Sequence, residues 1–130
     1  MANVTLKDPI LGVQLSIDEE IAPLIQAIHN YGGFVIEVRR IAGTSANMEN
    51  SWSLEFSKLG AMDRLLLAIK ETEPETLHRV GVDAGLVESG NGYTTIAISL
   101  LVAADALANV TRAARRLRRI HTHHLRLVSG

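Results

Sequence analysis

The strongest candidate for binding chemistry in this chain is a run of three carboxylates, Asp18, Glu19 and Glu20. Carboxylate oxygens bind cations and positively charged groups, and paired carboxyls perform acid–base chemistry. The same residues also stabilise the positive end of a helix that begins here, which requires no ligand. We predict that they form a ligand-binding loop, to which a polar loop further along the chain adds Asn47, Glu49 and Asn50.

Three histidines, His121, His123 and His124, are clustered near the end of the chain. On a strand, the first two share a face and could hold a metal ion between them. No aspartate or glutamate follows Asp105, so a third ligand is missing nearby, and we assign no metal site. A polar strand end, an interface or a pH-sensitive contact are the other interpretations of this cluster.

Catalysis finds no support in the residue types or their spacing. The chain has no cysteine, which excludes thiolate nucleophiles, disulfides and cysteine-ligated zinc. No spacing indicates a Ser-His-Asp triad, and the glycine-rich residues 85–92 match neither a phosphate-binding loop nor a dinucleotide fingerprint. We therefore predict no catalytic residue and no cofactor, and keep a small enzyme as an alternative.

Charge is distributed unevenly along the chain. Residues 1–105 hold seven basic and fourteen acidic side chains, a balance of −7, whereas residues 106–130 hold six arginines and no acid. Such a division indicates either an anionic partner or a basic helix beside the acidic part of its own fold or of a second subunit. The aromatic residues typical of RNA-binding surfaces are missing here, which disfavours nucleic acid and leaves it as a further alternative. We favour a solvated or salt-bridged helix, with a protein partner contacted through Arg115 and Arg119 as the alternative.

Length and composition are those of one folded domain. The chain has 130 residues, of which 47% are hydrophobic, and this suffices for a core without disulfides or metal. No apolar run approaches the roughly 18 residues of a membrane span. Residues 1–4 lack the basic start of a signal peptide. We therefore expect a cytoplasmic protein with no membrane partner.

The spacing of apolar residues predicts four strands and two helices in the first part of the chain. Strands are expected over residues 11–17, 34–41, 51–57 and 77–83. The first helix places apolar residues at positions 0, 3, 4 and 7 from Ile21, and the second repeats this spacing from Met62. The order β-α-β-β-α-β predicts an α+β fold of the ferredoxin-like type, with an antiparallel sheet covered by helices.

A further β-α-β unit is predicted after this pattern. It comprises a strand over residues 93–102, a helix over residues 107–120 and a strand over residues 121–128. The chain is therefore divided into a ferredoxin-like unit (1–84), a glycine-rich connector (85–92) and a C-terminal unit (93–130). The last unit packs on the first, or completes a sheet with a second subunit.

The third strand shows the clearest alternation, with Trp52, Leu54 and Phe56 on one face and small or polar residues on the other. These three side chains are predicted to belong to the core, or to the interface with a second copy if two sheets pack face to face. This strand and the strand over residues 93–102 are too apolar to leave both faces in water, which indicates a second layer from the chain's own C-terminal unit or from a second subunit. We therefore expect a homo-oligomer, at least a dimer.

Several of these stretches resemble the ACT family and its ACT-like relatives, small bacterial modules that sense amino acids and similar metabolites. The likeness rests on residues 13–18, the helix over 21–29 and the glycine-led strand over 32–38. Residues 94–100 followed by 107–120 are similar to the third strand and second helix of such a module. ACT modules commonly place a glycine soon after the aspartate that ends strand one, whereas Asp18 is followed by Glu19 and Glu20.

The resemblance implies a non-catalytic regulatory domain. Such a domain binds a small, amino-acid-like effector at the loop over residues 18–20 or at a subunit interface. It then acts through the arrangement of its oligomer.

Overall fold

The computed structural model describes residues 3–7, 14–42, 50–88 and 90–119. In chain order these form β1 (Asn3–Lys7), β2 (Gln14–Asp18), α1 (Ala22–Asn30), β3 (Val35–Ala42), β4 (Asn50–Phe56), α2 (Leu59–Thr72), β5 (Val80–Glu88), β6 (Thr94–Ala103) and α3 (Leu107–Arg115). Two short 3-10 helices, Pro74–Arg79 and Ala104–Ala106, follow α2 and β6. The mixed α+β class predicted from the sequence is confirmed.

Four strands form the main antiparallel sheet, in the order β3-β4-β6-β5. At its centre, Leu54 of β4 lies opposite Leu100 of β6, and Trp52 lies opposite Val102. All four side chains are buried in the hydrophobic cluster that also contains the apolar faces of α1, α2 and α3. The core of the protein therefore lies between one face of this sheet and the helices.

Helix α1 begins where its proline predicts and buries the face that its periodicity predicts. It starts at Ala22, with Pro23 in the first turn, where the missing proline N–H breaks no helical hydrogen bond. The four predicted core residues are fully buried: Ile21, Leu24, Ile25 and Ile28.

A glycine pair ends α1. The Gly33 N–H donates to the carbonyl oxygen of Ile28 at 3.0 Å, and the Gly32 N–H donates to that of His29 at 3.1 Å. Gly32 has a φ of +98°, in the left-handed region that residues with a Cβ rarely adopt. The glycines therefore satisfy the last carbonyls of the helix and turn the chain into β3.

The first predicted strand lies outside the sheet in which it was expected. Gln14–Asp18 pairs antiparallel with Asn3–Lys7 in a separate two-stranded sheet, whereas the prediction places this strand with residues 34–41 in one sheet. The prediction assigns no strand to residues 1–10, although Val4 and Leu6 alternate with polar residues and pack against the core. Because β1 supplies the partner of β2, the predicted ferredoxin-like order is not confirmed.

The predicted connector over residues 85–92 is largely strand. β5 continues to Glu88, and its ladder with β6 is unbroken through Gly85, which lies opposite Ala97. Glycine weakens a strand but has no side chain that would prevent pairing. β6, predicted to begin a separate C-terminal unit, lies between β4 and β5. Residues 94–103 therefore belong to the same sheet as residues 35–56.

Helix α3 ends at Arg115 rather than at residue 120, where the prediction ends it. Its buried side contains the predicted Leu107, Val110 and Ala114. Continuing the helix would place like charges four residues apart, such as Arg115 and Arg119, which destabilises a helix. The predicted strand over residues 121–128 and the cluster of His121, His123 and His124 lie outside the described residues.

Candidate ligand-binding groove

A groove of about 500 Å³ runs between the entry of α1 and one side of α3. This volume is within the range of small-molecule sites. Its lining comes from the turn before α1 (Glu20 and Pro23) and from the segment leading into and along α3 (Ala104, Leu107, Ala108, Thr111, Arg112 and Arg115). The groove is therefore lined both by Glu20 of the predicted ligand-binding loop and by Arg115 of the predicted interface.

The turn over residues 18–21 positions Glu20 at this groove. The Oδ1 atom of Asp18 accepts the Glu20 N–H at 2.9 Å, and the Asp18 carbonyl accepts the Ile21 N–H at 3.2 Å. A short aspartate side chain commonly stabilises a turn in this way. Asp18 therefore shapes the loop, whereas Glu20 lines the groove and Glu19 is exposed without lining it.

An ion pair and a ring contact connect Glu20 to the core. Arg40 donates from Nη1 to the Oε2 atom of Glu20 at 3.0 Å, and its guanidinium carbon lies 5.1 Å from the centre of the Trp52 ring. Trp52 is only 3% exposed. The contact of a guanidinium with an indole face is attractive and orients the arginine. The Glu20 carboxylate is thereby held at the edge of the sheet, and it keeps further lone pairs for a ligand.

The two arginines of the groove differ in their partners. Arg112 donates from Nε to the Oε1 atom of Glu73 at 2.8 Å, and its Nη2 atom contacts both that carboxylate and Oδ1 of Asn109. The Arg115 guanidinium has no hydrogen-bonding partner among the described residues. Arg115 is therefore the cation that the groove offers to a ligand.

Other arginines of the basic segment stabilise helix ends. Arg119 donates from Nη2 to the His29 carbonyl, the C-terminal end of α1, at 3.1 Å. Arg118 donates from Nη1 to the Arg115 carbonyl at 3.0 Å, the C-terminal end of α3. Cations are favourable at this negative end of a helix. Arg119 therefore has a structural contact, whereas Arg116 is exposed and unpartnered within the described residues.

The remaining predicted site residues lie elsewhere. Asn50 is exposed at the start of β4 and does not line the groove, and Asn47 and Glu49 fall outside the described residues. Trp52, Leu54 and Phe56 are buried under the helices, as the core interpretation requires. In this position they are not exposed for a face-to-face contact with a second copy.

The floor of the groove was not recognised in the sequence, although a signal is present. Ala108, Thr111 and Arg115 follow one another at intervals of three and four, which places them on one side of α3, and Ala104 lies four residues earlier in the preceding 3-10 helix. Small residues on such a stripe leave room beside the helix. The sequence prediction placed a helix over residues 107–120 and named Arg115 and Arg119 for a partner contact, but it did not consider this stripe.

Comparison with known proteins gives no relative: no family model, curated protein or solved structure matches this chain. Within the described ranges, no α-helix is long and apolar enough to cross a bilayer. The same ranges contain no group of three His, Cys, Asp or Glu side chains that could hold a metal ion. Function is therefore argued from the groove itself.

Proposed function

We propose that the protein is a regulatory binding domain for a small zwitterionic metabolite of the amino-acid type. The observation that carries this proposal is that one groove is lined by both the Glu20 carboxylate and the Arg115 guanidinium, which has no hydrogen-bonding partner among the described residues. Arg115 binds the carboxylate of the ligand, because a guanidinium presents two parallel donors that match two carboxylate oxygens. Glu20 accepts hydrogen bonds from the ligand ammonium.

The apolar part of the groove accommodates the ligand side chain. Pro23, Leu107 and Ala108 contribute carbon surface between the two charged groups. Small-molecule sites commonly combine an apolar lining with a few polar groups that fix orientation. A ligand of this kind contacts both the turn before α1 and α3, so its binding favours the arrangement in which these two segments lie together. This coupling is the regulatory step of the proposal.

The role of Arg115 in binding the ligand carboxylate is tested by isothermal titration calorimetry of the full chain against each of the common amino acids. R115Q is expected to lower the affinity for the tightest ligand by about tenfold or more, because a charge-assisted hydrogen bond is lost. R116Q is the matched control, since Arg116 is exposed one residue further on and does not line the groove. The absence of binding by every amino acid, or equal losses in the two variants, would contradict the proposal.

The role of Glu20 in binding the ligand ammonium is tested with E20Q, and E19Q is the matched control. E20Q is expected to weaken binding of the amino acid more than binding of the corresponding carboxylic acid that lacks the amino group. E19Q leaves both affinities unchanged, because Glu19 does not line the groove. An equal loss for the two ligands in E20Q would show that Glu20 acts only through its ion pair with Arg40.

A further inference from the structure

The two edges of the main sheet differ in how they are protected. β3, at one edge, has a bulge between Val35 and Glu37 and carries Arg39 and Arg40. β5, at the other edge, contains no proline and no basic residue, and its nine residues follow an unbroken register against β6. Bulges, prolines and inward or edge charges are the features that keep edge strands from pairing with other chains. β5 lacks these features, apart from the carboxylates of Asp83 and Glu88.

β5 forms a hairpin with β6, and this hairpin extends beyond the end of β4. β4 pairs with β6 only over residues 99–103, so the β5–β6 hairpin continues past the end of β4. On its helix-side face, Val82 is 53% exposed, Leu86 is 77% exposed and Ile96 is 66% exposed. Leu86 and Ile96 lie directly opposite each other, and Val82 lies two positions further along the same face of β5. Three exposed aliphatic side chains on one sheet face are an unusual surface for a protein that acts alone.

We infer that β5 pairs with β5 of a second copy, antiparallel, about a two-fold axis at Ala84. In this register all nine residues of the strand find a partner. Val82 lies opposite Leu86 of the second copy, and Asp83 lies opposite Gly85. Directly opposite apolar pairs stabilise a sheet. The strand is therefore complementary to itself.

Charge and overlap select this register over its two neighbours. Side chains keep to their own face only if the register shifts by an even number of residues. Of the two adjacent two-fold registers, the one centred on Asp83 would place two carboxylates directly opposite each other, which is unfavourable. The one centred on Gly85 would place Val82 opposite Glu88 and leave Val80 and Gly81 without a partner in the strand. Centring on Ala84 separates the two Asp83 side chains and also gives the longest overlap.

The resulting dimer has one continuous sheet of eight strands and closed two-fold symmetry. Nine strand residues and a few flanking hairpin residues on each side are fewer than the roughly 20–30 that a standard interface contributes per partner. We therefore expect a reversible dimer whose mass depends on concentration. The dimer lies away from the groove, so each proposal can fail without the other.

The edge pairing is tested first by sedimentation velocity of the full chain over a wide concentration series. The wild type is expected to pass from monomer to dimer, and L86K is expected to raise the dimer dissociation constant by about tenfold or more. L67K is the matched control, because Leu67 lies on α2 and is similarly exposed at 55%. A monomer at every concentration, or equal effects of L86K and L67K, would overturn the inference.

The register is tested by disulfide trapping, for which the chain has no background cysteine. Directly opposite residues in antiparallel strands have Cα atoms about 4.5–5.5 Å apart, a separation that a disulfide spans. Under mild oxidation A84C is expected to give a covalent dimer. V82C alone is expected to stay unlinked, and the V82C/L86C double variant is expected to link. Efficient linking of V82C alone, or no linking of A84C, would overturn this register.

Discussion

Tyr31 is a buried phenol at the end of α1, and its hydroxyl donates a hydrogen bond. It donates to the carbonyl oxygen of Ala61 at 2.7 Å, and the Arg64 guanidinium lies 5.1 Å from its ring centre. Burial raises the pKa of Tyr31 well above its ordinary value of 10.0, and the charge of Arg64 lowers this pKa by a smaller amount. The folded protein therefore holds this phenol in its neutral form.

This raised pKa predicts a loss of stability in alkaline solution. Above about pH 10 the unfolded phenol loses its proton while the folded one keeps it, so the unfolded state binds fewer protons and the free energy of unfolding falls. The slope contributed by Tyr31 is about 1.4 kcal/mol per pH unit until the folded group also ionises. Urea unfolding between pH 8 and pH 11 measures this decline.

Y31F isolates the contribution of the phenol. It is expected to cost about 1 kcal/mol at neutral pH, because the hydrogen bond from the phenol to the Ala61 carbonyl is lost. It is also expected to show a shallower decline than the wild type above pH 10. Y93F is the control for the other tyrosine, which is exposed. Parallel declines in the wild type and in Y31F would contradict the prediction.

At the scale of residues, the sequence shows which side chains are charged more readily than it shows which groups they contact. The basic segment is visible in the composition, yet its arginines have three different roles. Arg112 binds Glu73, Arg119 binds a helix end, and Arg115 has no partner among the described residues. These roles depend on segments far away in the sequence, such as α1 and the end of α2, so periodicity within α3 does not predict them.

At the scale of elements, the end of α1 depends on a residue that has no side chain. Gly32 adopts a φ of +98°, and its N–H closes the last turn of the helix. Arg119 adds a donor to the same His29 carbonyl. The termination of α1 is therefore determined jointly by local backbone geometry and by a distant arginine.

Substitution of Gly32 is expected to be costly. G32A places a Cβ in the left-handed region and should lower the free energy of unfolding by about 1–2 kcal/mol. G60A is the matched control within a helix, because Gly60 is exposed in the first turn of α2 and nothing lies within 4 Å of an added Cβ. It should stabilise the protein by about 0.4–1 kcal/mol. Urea unfolding measures the change in the free energy of unfolding for both variants. Equal changes in G32A and G60A would contradict the requirement for glycine at position 32.

Helices were predicted more faithfully than strands, for a physical reason. Four apolar residues at positions 0, 3, 4 and 7 from Ile21 or Met62 define a buried helix face within the segment itself. A strand needs a partner elsewhere, so the pairing of Gln14–Asp18 with Asn3–Lys7 is not contained in either segment alone. The glycines that suggested a connector after residue 84 are compatible with a ladder whose other strand is strongly apolar.

At the scale of the whole molecule, the two sheets differ greatly in support. The main sheet has four strands and a helical layer, whereas β1 and β2 form a two-stranded sheet. A two-stranded sheet is marginally stable by itself. Its attachment relies on side chains such as Val4, Leu6 and Ile17, which pack against the core.

Amide hydrogen exchange should reveal this difference. The amides of β1 and β2 are expected to exchange at least about tenfold faster than those of β4 and of residues 99–103 of β6, because local opening of the small sheet costs less than global unfolding. Mass spectrometry of peptides from the two regions measures the ratio. Equal protection would indicate that both sheets open only when the whole molecule unfolds.

The ring contact between Arg40 and Trp52 also has an optical consequence. The chain contains one tryptophan, so fluorescence excited at wavelengths that tyrosine does not absorb comes from a single indole, whose face is covered by a guanidinium. The energy of the excited indole depends on the electric field around it, and the position of the Arg40 charge is set by its bond to Glu20. The wavelength of the Trp52 emission maximum therefore responds to changes at the groove. The protein carries its own fluorophore beside the site where we propose that the ligand binds.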